Sequence, residues 1–389
     1  MIFKNKNIII VCQQDWGEMF VSKHHYAVEL AKLDNNVYFL NGPDQRKILK
    51  KGEVQINESK YKNLFIVTHN LSFPYILKFK ARWLYNFFIK KHINKILKKI
   101  DQDIDLIWSF DLSDTIPLRY FSGSYKKIFM PVDEPQDKTA IAAAKSADII
   151  LSVTNEIIEK YATYNIPKFS INHGVAEIFI NKNISENTNN PIRVGLSGNF
   201  LRPDIDRETL LKIIESNPNV MFECWGPIDN TKSNLMITTD SGTLNFTGKL
   251  KSLSNVIAQG VVGSNILSEK IKQVDCFLIC YDINKDQSKG TNYHKILEYL
   301  ASGKVVVSNN VTAYKEDPDL VSMPLNRNNN YELPSLFLSV IKNIEKNNSI
   351  QKQAYRIDFA KNHLYSMQIK KIQTLLSSSL IKEADFHLV

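Results

Sequence analysis

Five residues of the types that hold phosphate and sugar groups fall within nine positions of the chain: Gly290, Thr291, Asn292, Lys295 and Glu298. Threonine or asparagine can cap the start of a helix. The free backbone N–H groups at such a start bind phosphate, with help from the positive end of the helix dipole. The lysine could add a phosphate contact, and the glutamate could accept hydrogen bonds from ribose hydroxyls. The stretch therefore predicts a place for a phosphorylated nucleotide; the alternative is an amphipathic helix whose polar face meets water.

Apolar residues of the same stretch predict the elements that would position these side chains. They recur at the spacing of a core-facing helix: Tyr293, Ile296, Leu297 and Leu300. Gly303 is suited to end that helix in a left-handed conformation. Residues 304–308 (KVVVS) are rich in β-branched side chains, which is typical of a strand buried on both faces. The sequence thus predicts a loop, a helix, a tight turn and a parallel strand.

Residues 292–307, NYHKILEYLASGKVVV, resemble the nucleotide-sugar signature of GT-B glycosyltransferases, and most closely the bacterial group-1 (GT4-like) subset that carries K-x-x-E-Y-L-A-x-G-K. The resemblance implies that the loop before the helix meets the donor diphosphate and that Glu298 meets the ribose. The sequence departs from the family at Gly290, where many group-1 enzymes carry a second glutamate. This departure weakens the prediction of a retaining enzyme.

Length and composition predict a two-domain globular protein. The chain has 389 residues, 43% of them hydrophobic, and a net charge of +9, which suits anionic partners. Its four cysteines lack the spacing of zinc ligands, so we expect no metal. The resemblance implies a UDP- or GDP-linked sugar as substrate and no cofactor. No leader and no membrane-spanning run is apparent, so we expect a cytoplasmic protein, at most peripheral on the inner face of a membrane.

The first half begins with a strand at residues 7–12, a helix at 22–32 and a strand at 36–40, which is the opening of a doubly wound α/β domain. Further strands are predicted at 64–68, 105–110, 127–131 and 149–153. The absence of G-x-G-x-x-G and of a Walker A pattern disfavours a dinucleotide cofactor and an NTPase.

This half resembles the acceptor domain of GT-B enzymes. The resemblance implies that Asp15, Gly17 and His25 line the loop after the first strand, with Gly17 on the donor side and His25 on the acceptor side. Sugar transfer needs a general base near the acceptor oxygen. Asp133 is the first candidate and Asp15 the second, with Glu134 on the acceptor side. The alternative for Asp133 and Glu134 is that they cap the next turn.

The second half repeats the pattern after an asparagine-rich linker at 181–190. Strands are predicted at 192–196, 220–225 and 275–281, and helices at 253–258, 266–273, 336–344 and 354–376. Resemblance to GT-B donor domains implies that Arg202 meets the diphosphate. It also implies that residues 244–248 form an f-x-G element, with Lys249 near the donor.

The fold class predicted from these patterns is α/β with GT-B architecture: two facing Rossmann-like, doubly wound parallel-sheet domains and a cleft between them. Residues 1–178, joined by a final helix at about 360–389, would form the acceptor domain. Residues 190–355 would form the nucleotide-sugar donor domain.

Residues 74–100 predict one or two amphipathic helices rich in aromatic and basic side chains. They are either ordinary core helices with a basic solvent face or a contact with an anionic membrane surface. No nucleic-acid-binding module is recognised, so no nucleic-acid partner is expected.

The predicted function is that of a glycosyltransferase (hexosyltransferase type, EC 2.4). It would move a sugar from a nucleotide-diphosphate sugar to a hydroxyl of a lipid-linked or polysaccharide acceptor in bacterial surface polysaccharide synthesis. The alternatives are a nucleotide-sugar epimerase of the GT-B type and a non-catalytic subunit that binds nucleotide sugar.

Overall fold

A computed structural model describes residues 3–17, 20–44, 48–229 and 240–386, with side chains up to 377. The chain forms two compact units. Unit 1 comprises Met1–Trp16, Phe20–Asn172 and Tyr365–Val389. Unit 2 comprises Gly17–Met19 and His173–Leu364.

Unit 1 is built on an eight-stranded sheet in the order β3-β4-β2-β1-β5-β6-β7-β8. Its strands are β1 (Asn7–Val11), β2 (Asn36–Pro43), β3 (Val54–Glu58), β4 (Leu64–His69), β5 (Leu106–Ser109), β6 (Lys126–Phe129), β7 (Ile149–Ser152) and β8 (Lys168–Ser170). All neighbouring pairs are parallel except β3 with β4. β1 lies at the centre, where Ile9 pairs with Tyr38 on one side and Ile107 on the other.

The helices of unit 1 are α1 (Ser22–Ala31), α2 (Leu77–Lys80), α3 (Arg82–Ile100), α4 (Lys138–Ala142), α5 (Asn155–Glu159) and α13 (Tyr365–Phe386). The core lies between these helices and the strands, because the central strands carry apolar side chains on both faces. Tyr26 of α1 packs its ring 4.9 Å from Trp108 of β5 and 4.9 Å from Tyr365 of α13. The last helix is thereby part of the unit 1 core.

Unit 2 is built on a five-stranded, all-parallel sheet in the order β11-β10-β9-β12-β13. Its strands are β9 (Ile192–Ser197), β10 (Val220–Trp225), β11 (Val256–Gly260), β12 (Cys276–Ile279) and β13 (Val305–Ser308). Its helices are α6 (Arg207–Glu215), α7 (Ser241–Ser252), α8 (Ser264–Lys270), α9 (His294–Ser302), α10 (Leu333–Lys342), α11 (Ile344–Asn347) and α12 (Ile350–Lys361). Two apolar clusters cover the two faces of the sheet, as expected of a doubly wound domain.

The predicted class of two Rossmann-like parallel-sheet domains is confirmed, and so are the predicted parallel strands. Two predicted helices are wrong. Residues 253–258 were expected to be helical, but Val256–Gly260 is strand β11, because its β-branched residues pair with β10. The long helix expected at 354–376 is instead two helices, because α12 ends at Lys361 and α13 begins at Tyr365.

Residues 74–100 form α2 and α3, as predicted. Among the helices that the structure describes, none has the length and apolar character needed to cross a membrane.

Candidate nucleotide-sugar site

The carboxyl ends of β9 and β12 lie side by side in unit 2, at the point where the strand order reverses. From β9 the chain continues outward to β10 and β11, whereas β12 and β13 lie on its other side. Ligands of doubly wound sheets bind at this reversal, because the loops leave in opposite directions and open a crevice. The loop after β9 and the loop between β12 and α9 supply the residues of this crevice.

The loop before α9 is held by one buried carboxylate, that of Asp286, which is 3% exposed. Its oxygens accept hydrogen bonds from the Ser288 hydroxyl at 2.7 Å, the Gly290 N–H at 2.9 Å and the Tyr293 hydroxyl at 2.8 Å. The loop that precedes the amino end of α9 is therefore fixed in shape. Sequence reasoning missed Asp286, although an aspartate two residues before a serine in a turn is a recognisable signal.

Gly290 adopts a backbone conformation with φ +64°, and a side chain there would meet the protein itself. A Cβ atom would lie 2.7 Å from Cδ1 of Ile283 and 2.9 Å from the carbonyl oxygen of Asn310. The glutamate that many group-1 glycosyltransferases carry at this position does not fit here. The departure noted in the sequence thus has a steric cause.

Thr291 and Asn292 do not cap α9, which corrects the prediction. The residue at the N-cap is Tyr293, and its side chain makes no capping hydrogen bond. Thr291 instead donates from its hydroxyl to the carbonyl oxygen of Ser288 at 2.8 Å, and it is 1% exposed. Both residues are buried in the loop before the helix.

Lys295 does not extend into solvent from the polar face of α9, which was the alternative to the predicted phosphate contact. Its ammonium donates to the carbonyl oxygen of Ser197 and to the hydroxyl of Tyr281, at 2.7 Å from the latter. The Tyr281 ring also lies 5.0 Å from that ammonium, within cation–π range. Lys295 therefore carries a positive charge to the end of β9, at the crevice and not on the open surface.

Glu298, one turn further along α9, is 6% exposed. Burial raises the pKa of its carboxyl to about 8, and Lys295 lowers that pKa in part. One carboxylate oxygen lies 3.3 Å from Nε2 of His294, the first residue of the helix. The pair places a hydrogen-bonding carboxyl group beside the amino end of α9.

Arg202, expected to meet the diphosphate, is paired with a neighbouring acid. Its guanidinium grips both carboxylate oxygens of Asp204, with the Nε donating at 3.0 Å. Asp204 is 2% exposed, and burial raises the pKa of its carboxyl although Arg202 opposes that rise. Arg202 is thus held in the loop that follows β9, with its outer edge partly exposed.

Lys249 lies away from these residues. It belongs to α7, and its ammonium pairs with Glu215 at the end of α6, 2.7 Å away. Residues 244–248 are helical, so the expected f-x-G element is wrong at this place. Strand β11 follows α7 instead. It ends at Gly260 and leads into α8. The β-branched pair Val256-Ile257 is the signal that could have located it.

Gly17 belongs to unit 2 and follows β1 in sequence. The residues predicted for the acceptor side and for the general base belong to unit 1. Asp15 lies in the loop after β1, where its carbonyl oxygen is 3.1 Å from Nε2 of His24. His25 is buried in α1, and its ring stacks on that of Tyr365 at 4.9 Å.

Asp133 is exposed in the segment after β6, and Glu134 forms an ion pair of 3.3 Å with Lys160. Neither residue is the cap of α4. That role belongs to Asp137, whose side chain accepts from the N–H of Ala140 at 2.9 Å. The alternative reading of Asp133 and Glu134 as capping residues is therefore wrong.

A buried carboxylate, Asp111, stands at the carboxyl edge of the unit 1 sheet. It accepts from the side-chain amide of Gln13 at 2.7 Å and from the N–H of Ile116 at 2.8 Å. Its neighbour Asp114 is gripped by Arg82 and, at 2.8 Å, by Arg119. Burial raises the pKa of Asp114 against the effect of the two arginines. These contacts fix the loop after β5. The sequence alone shows that two aspartates are present there, but not their contacts.

The sequence matches no family model and no curated protein. Solved structures do match over nearly the whole chain. Sucrose-phosphate synthase from Thermosynechococcus elongatus is similar with a TM-score of 0.68 and 12% identity, covering 97% of this chain and 100% of that one. Anabaena HepE in complex with UDP and glucose gives 0.64 and 13%, covering 96% and 100%.

A trehalose-6-phosphate protein from E. coli, bound with UDP-2-fluoro glucose, gives a TM-score of 0.64 and 11% identity, covering 95% of this chain and 98% of that one. At such identities the likeness establishes the fold. The chain has the GT-B glycosyltransferase fold.

Proposed function

We propose that this protein is a glycosyltransferase that moves a sugar from a nucleoside diphosphate sugar to an acceptor hydroxyl. The observation that carries the proposal is the arrangement around α9. A loop fixed by Asp286 precedes the helix start, Lys295 brings a charge to the end of β9, and Glu298 stands one turn further along. Structures of similar fold contain UDP, which supports the same use here.

The diphosphate would rest against the amino end of α9. Free N–H groups and the positive dipole end of that helix stabilise phosphate oxygens. Arg202, in the loop after β9, and Lys295, in the first turn of α9, add positive charge, and each is already held by its own partner. Negative charge builds on the diphosphate as the sugar leaves, and donors that are fixed beforehand stabilise it most effectively. Glu298 would accept hydrogen bonds from the ribose.

Unit 1 would bind the acceptor and would supply the general base that deprotonates the acceptor hydroxyl. Asp133 is the first candidate for the base, because it is an exposed carboxylate after the carboxyl end of a parallel strand. Asp15 in the loop after β1 is the second. The motif at 292–307 supports placement in the bacterial group-1 (GT4-like) subset with a hexosyl donor, and Gly290 leaves the stereochemistry of transfer open.

An exposed aromatic and basic surface on α2 and α3 supports an acceptor at a membrane surface, such as a lipid-linked glycan. Phe79 is 69% exposed in α2, and Trp83 and Phe87 are 75% and 53% exposed in α3. The latter two are four residues apart and therefore share a face of the helix. The opposite face, with Tyr85 and Ile89, is buried.

The charges around this surface are all positive. Residues 74–100 contain eight lysines and arginines and no acidic residue. The ammonium of Lys91 lies 4.2 Å from the Phe87 ring, and Lys90 and Lys98 are exposed. Aromatic rings that enter the headgroup region beside lysines that meet anionic lipid are the signature of an interfacial helix. This surface supports our proposal that the acceptor is met at the inner face of the membrane, in bacterial surface polysaccharide synthesis.

The test begins with a thermal-shift screen of UDP, GDP and their sugars, followed by turnover with the stabilising donor. Glu298→Ala should weaken donor binding by at least tenfold, because a buried hydrogen-bonding partner of the ribose is lost. Glu316→Gln is the matched control, since this side chain is 87% exposed in unit 2. Release of free sugar or nucleotide without an acceptor would favour an epimerase, and binding without turnover would favour a non-catalytic subunit.

A further inference from the structure

A cavity of about 590 Å³ opens inside unit 2, in the loops that follow β9, β12 and β13. Its volume falls in the range of about 300–1,000 Å³ that small-molecule sites occupy. Within the described part of unit 2, Arg202, Lys295 and Glu298 do not line it. Tyr281, whose hydroxyl accepts from Lys295, does line it, so the cavity adjoins the residues assigned to the nucleotide without containing them.

The charges that line this cavity nearly cancel. Four described acidic side chains face three basic ones, so one negative charge remains. Several are paired with each other: Lys285 with Asp282 at 3.1 Å, and Arg207 with Asp240 at 3.9 Å. An excess of negative charge disfavours a phosphate or another anion.

The carboxylates also do not form a cation site. Asp206 and Asp240 are occupied as caps of α6 and α7, where they accept from the N–H groups of Thr209 and Thr243 at 3.1 and 2.8 Å. Among the described residues, no three carboxylates of the cavity bring their oxygens within 4.8 Å of one another. A metal ion needs several oxygen ligands converging on one point.

Side-chain amides dominate the remaining lining. Five asparagines contribute, three of them consecutive: Asn284, Asn309, Asn328, Asn329 and Asn330. Each amide both donates and accepts hydrogen bonds, as a sugar hydroxyl does. Asn330 is already fixed by hydrogen bonds to Asp206 at 2.8 Å and to the carbonyl oxygen of Tyr281 at 2.9 Å. That fixed amide forms the floor, and Asn284 and Asn328 are exposed.

An aromatic ring completes the rim. Tyr331 is 87% exposed, directly after the three asparagines. A sugar ring presents hydroxyls at its edge and C–H groups on its face, so amides can bind the edge while an aromatic ring covers the face. Together, balanced charge, paired amides and an exposed tyrosine fit a neutral carbohydrate and not a nucleotide, a metal ion or an apolar ligand.

We propose that this cavity is a binding site for a neutral glycan unit, distinct from the nucleotide-sugar site. The site would hold one or two sugar residues of a longer chain. The proposal goes beyond sugar transfer and does not depend on it, since a binding site of this kind would exist even if the enzyme assignment failed.

The experiment is saturation-transfer difference NMR and calorimetric titration of the full chain with maltotriose, cellotriose, chitotriose and mannotriose. At least one of these probes should bind, and saturating UDP should not displace it. Tyr331→Ala and Asn328→Ala should each weaken that binding at least fivefold. Tyr355→Ala is the matched control, because this tyrosine is 47% exposed elsewhere in unit 2 and bonds to Asp317.

Three results would overturn the proposal: no binding of any of the four trisaccharides, binding that both Tyr331→Ala and Asn328→Ala leave unchanged, or displacement of the bound glycan by UDP. Because both residues are exposed, the variants should fold, and an unchanged melting temperature checks this.

Discussion

The ammonium of Lys295 donates a hydrogen bond of 2.7 Å to the hydroxyl of Tyr281. This bond joins the first turn of α9 to the segment that follows β12. A second bond from the same ammonium reaches the backbone carbonyl of Ser197, the last residue of β9. The three segments that border the nucleotide crevice therefore meet at one charged group. Both the shape of the crevice and its positive charge depend on Lys295.

Replacing Lys295 by methionine should weaken donor binding at least tenfold, which corresponds to about 1.4 kcal/mol. The substitution keeps most of the side-chain volume but removes the charge and both hydrogen bonds. Tyr281→Phe removes one bond and leaves the charge, so its effect on the Kd should be smaller. Calorimetry with the stabilising nucleotide measures both, and equal Kd values for wild type and Lys295→Met would refute the role of Lys295.

Donor affinity should rise with pH between about 6.5 and 8.5. Burial raises the pKa of Glu298 to about 8, so the free protein holds this carboxyl protonated at neutral pH. Ribose hydroxyls donate to the ionised form, and bound donor therefore favours loss of the proton. The Kd should fall by up to about tenfold per pH unit below that pKa and level off above it.

Glu298→Gln provides the comparison for this pH profile, because an amide does not titrate in this range. Its donor affinity should be flat across the same interval. A pH dependence that persists unchanged in Glu298→Gln would assign the titration to another group.

Asp133→Asn should lower kcat by at least a hundredfold while donor affinity stays within twofold. A general base acts on the acceptor and does not contact the donor, and such bases contribute about 10²–10⁴ in rate. Asp137→Asn serves as a control, since Asp137 caps α4 and asparagine can keep that hydrogen bond, so both kcat and stability should stay unchanged. If Asp133→Asn keeps its kcat and Asp15→Asn loses it, the base is Asp15.

Vesicles that contain phosphatidylglycerol should bind the protein in a salt-sensitive manner, and Trp83 should report it. Trp83 is 75% exposed, Trp16 is half-buried, and Trp108 and Trp225 are buried, so a blue shift in tryptophan emission that Trp83→Phe abolishes points to this residue. Quenching by brominated lipid should be lost in Trp83→Phe, and Phe87→Ser should weaken sedimentation with the vesicles. Equal sedimentation with neutral and with anionic vesicles would show that this surface is an ordinary solvent-exposed helix.

Unit 1 should lose stability as the pH falls from about 6.5 towards 4. Burial lowers the pKa of His69 to about 3 and that of His92 to about 4, where a bond of 2.9 Å joins their rings. The folded state keeps both neutral, while the unfolded chain takes up protons below its ordinary pKa near 6.5. Each histidine therefore lowers the unfolding free energy of unit 1 by up to about 1.4 kcal/mol per pH unit in that window.

Urea denaturation at pH 7.5, 6.5 and 5.5 measures this effect. His92→Gln should reduce the slope of unfolding free energy against pH by about a third, because His69 and His24 still titrate, and burial also lowers the pKa of His24 to about 4. A slope that is the same in wild type and His92→Gln would show that this pair does not control the acid response.

The elements of highest apolar content could be predicted from the sequence, because burial on both faces leaves a visible run of β-branched residues. β1, β9, β12 and β13 are examples, and each is confirmed. β3 was not predicted, since Val54–Glu58 is an edge strand with polar side chains and pairs with β4 alone. Edge strands carry little of the apolar signal on which such predictions depend.

The candidate site was only partly predictable for a different reason. Residue types at 290–298 indicated phosphate and sugar chemistry, but partners distant in sequence decide where the side chains point. Lys295 bonds to residues 14 and 98 positions away, and no local pattern encodes those contacts. Lys249 shows the same effect, because it lies on helix α7 and pairs with Glu215, a partner distant in sequence.

The most direct test of the central claim is a crystal structure of the protein with the nucleotide that stabilises it. We predict that the diphosphate lies against the backbone of residues 290–294 at the amino end of α9, and that a ribose hydroxyl donates to Glu298. A nucleotide bound elsewhere in the chain, or a Glu298 carboxyl that contacts only protein in the complex, would contradict the account.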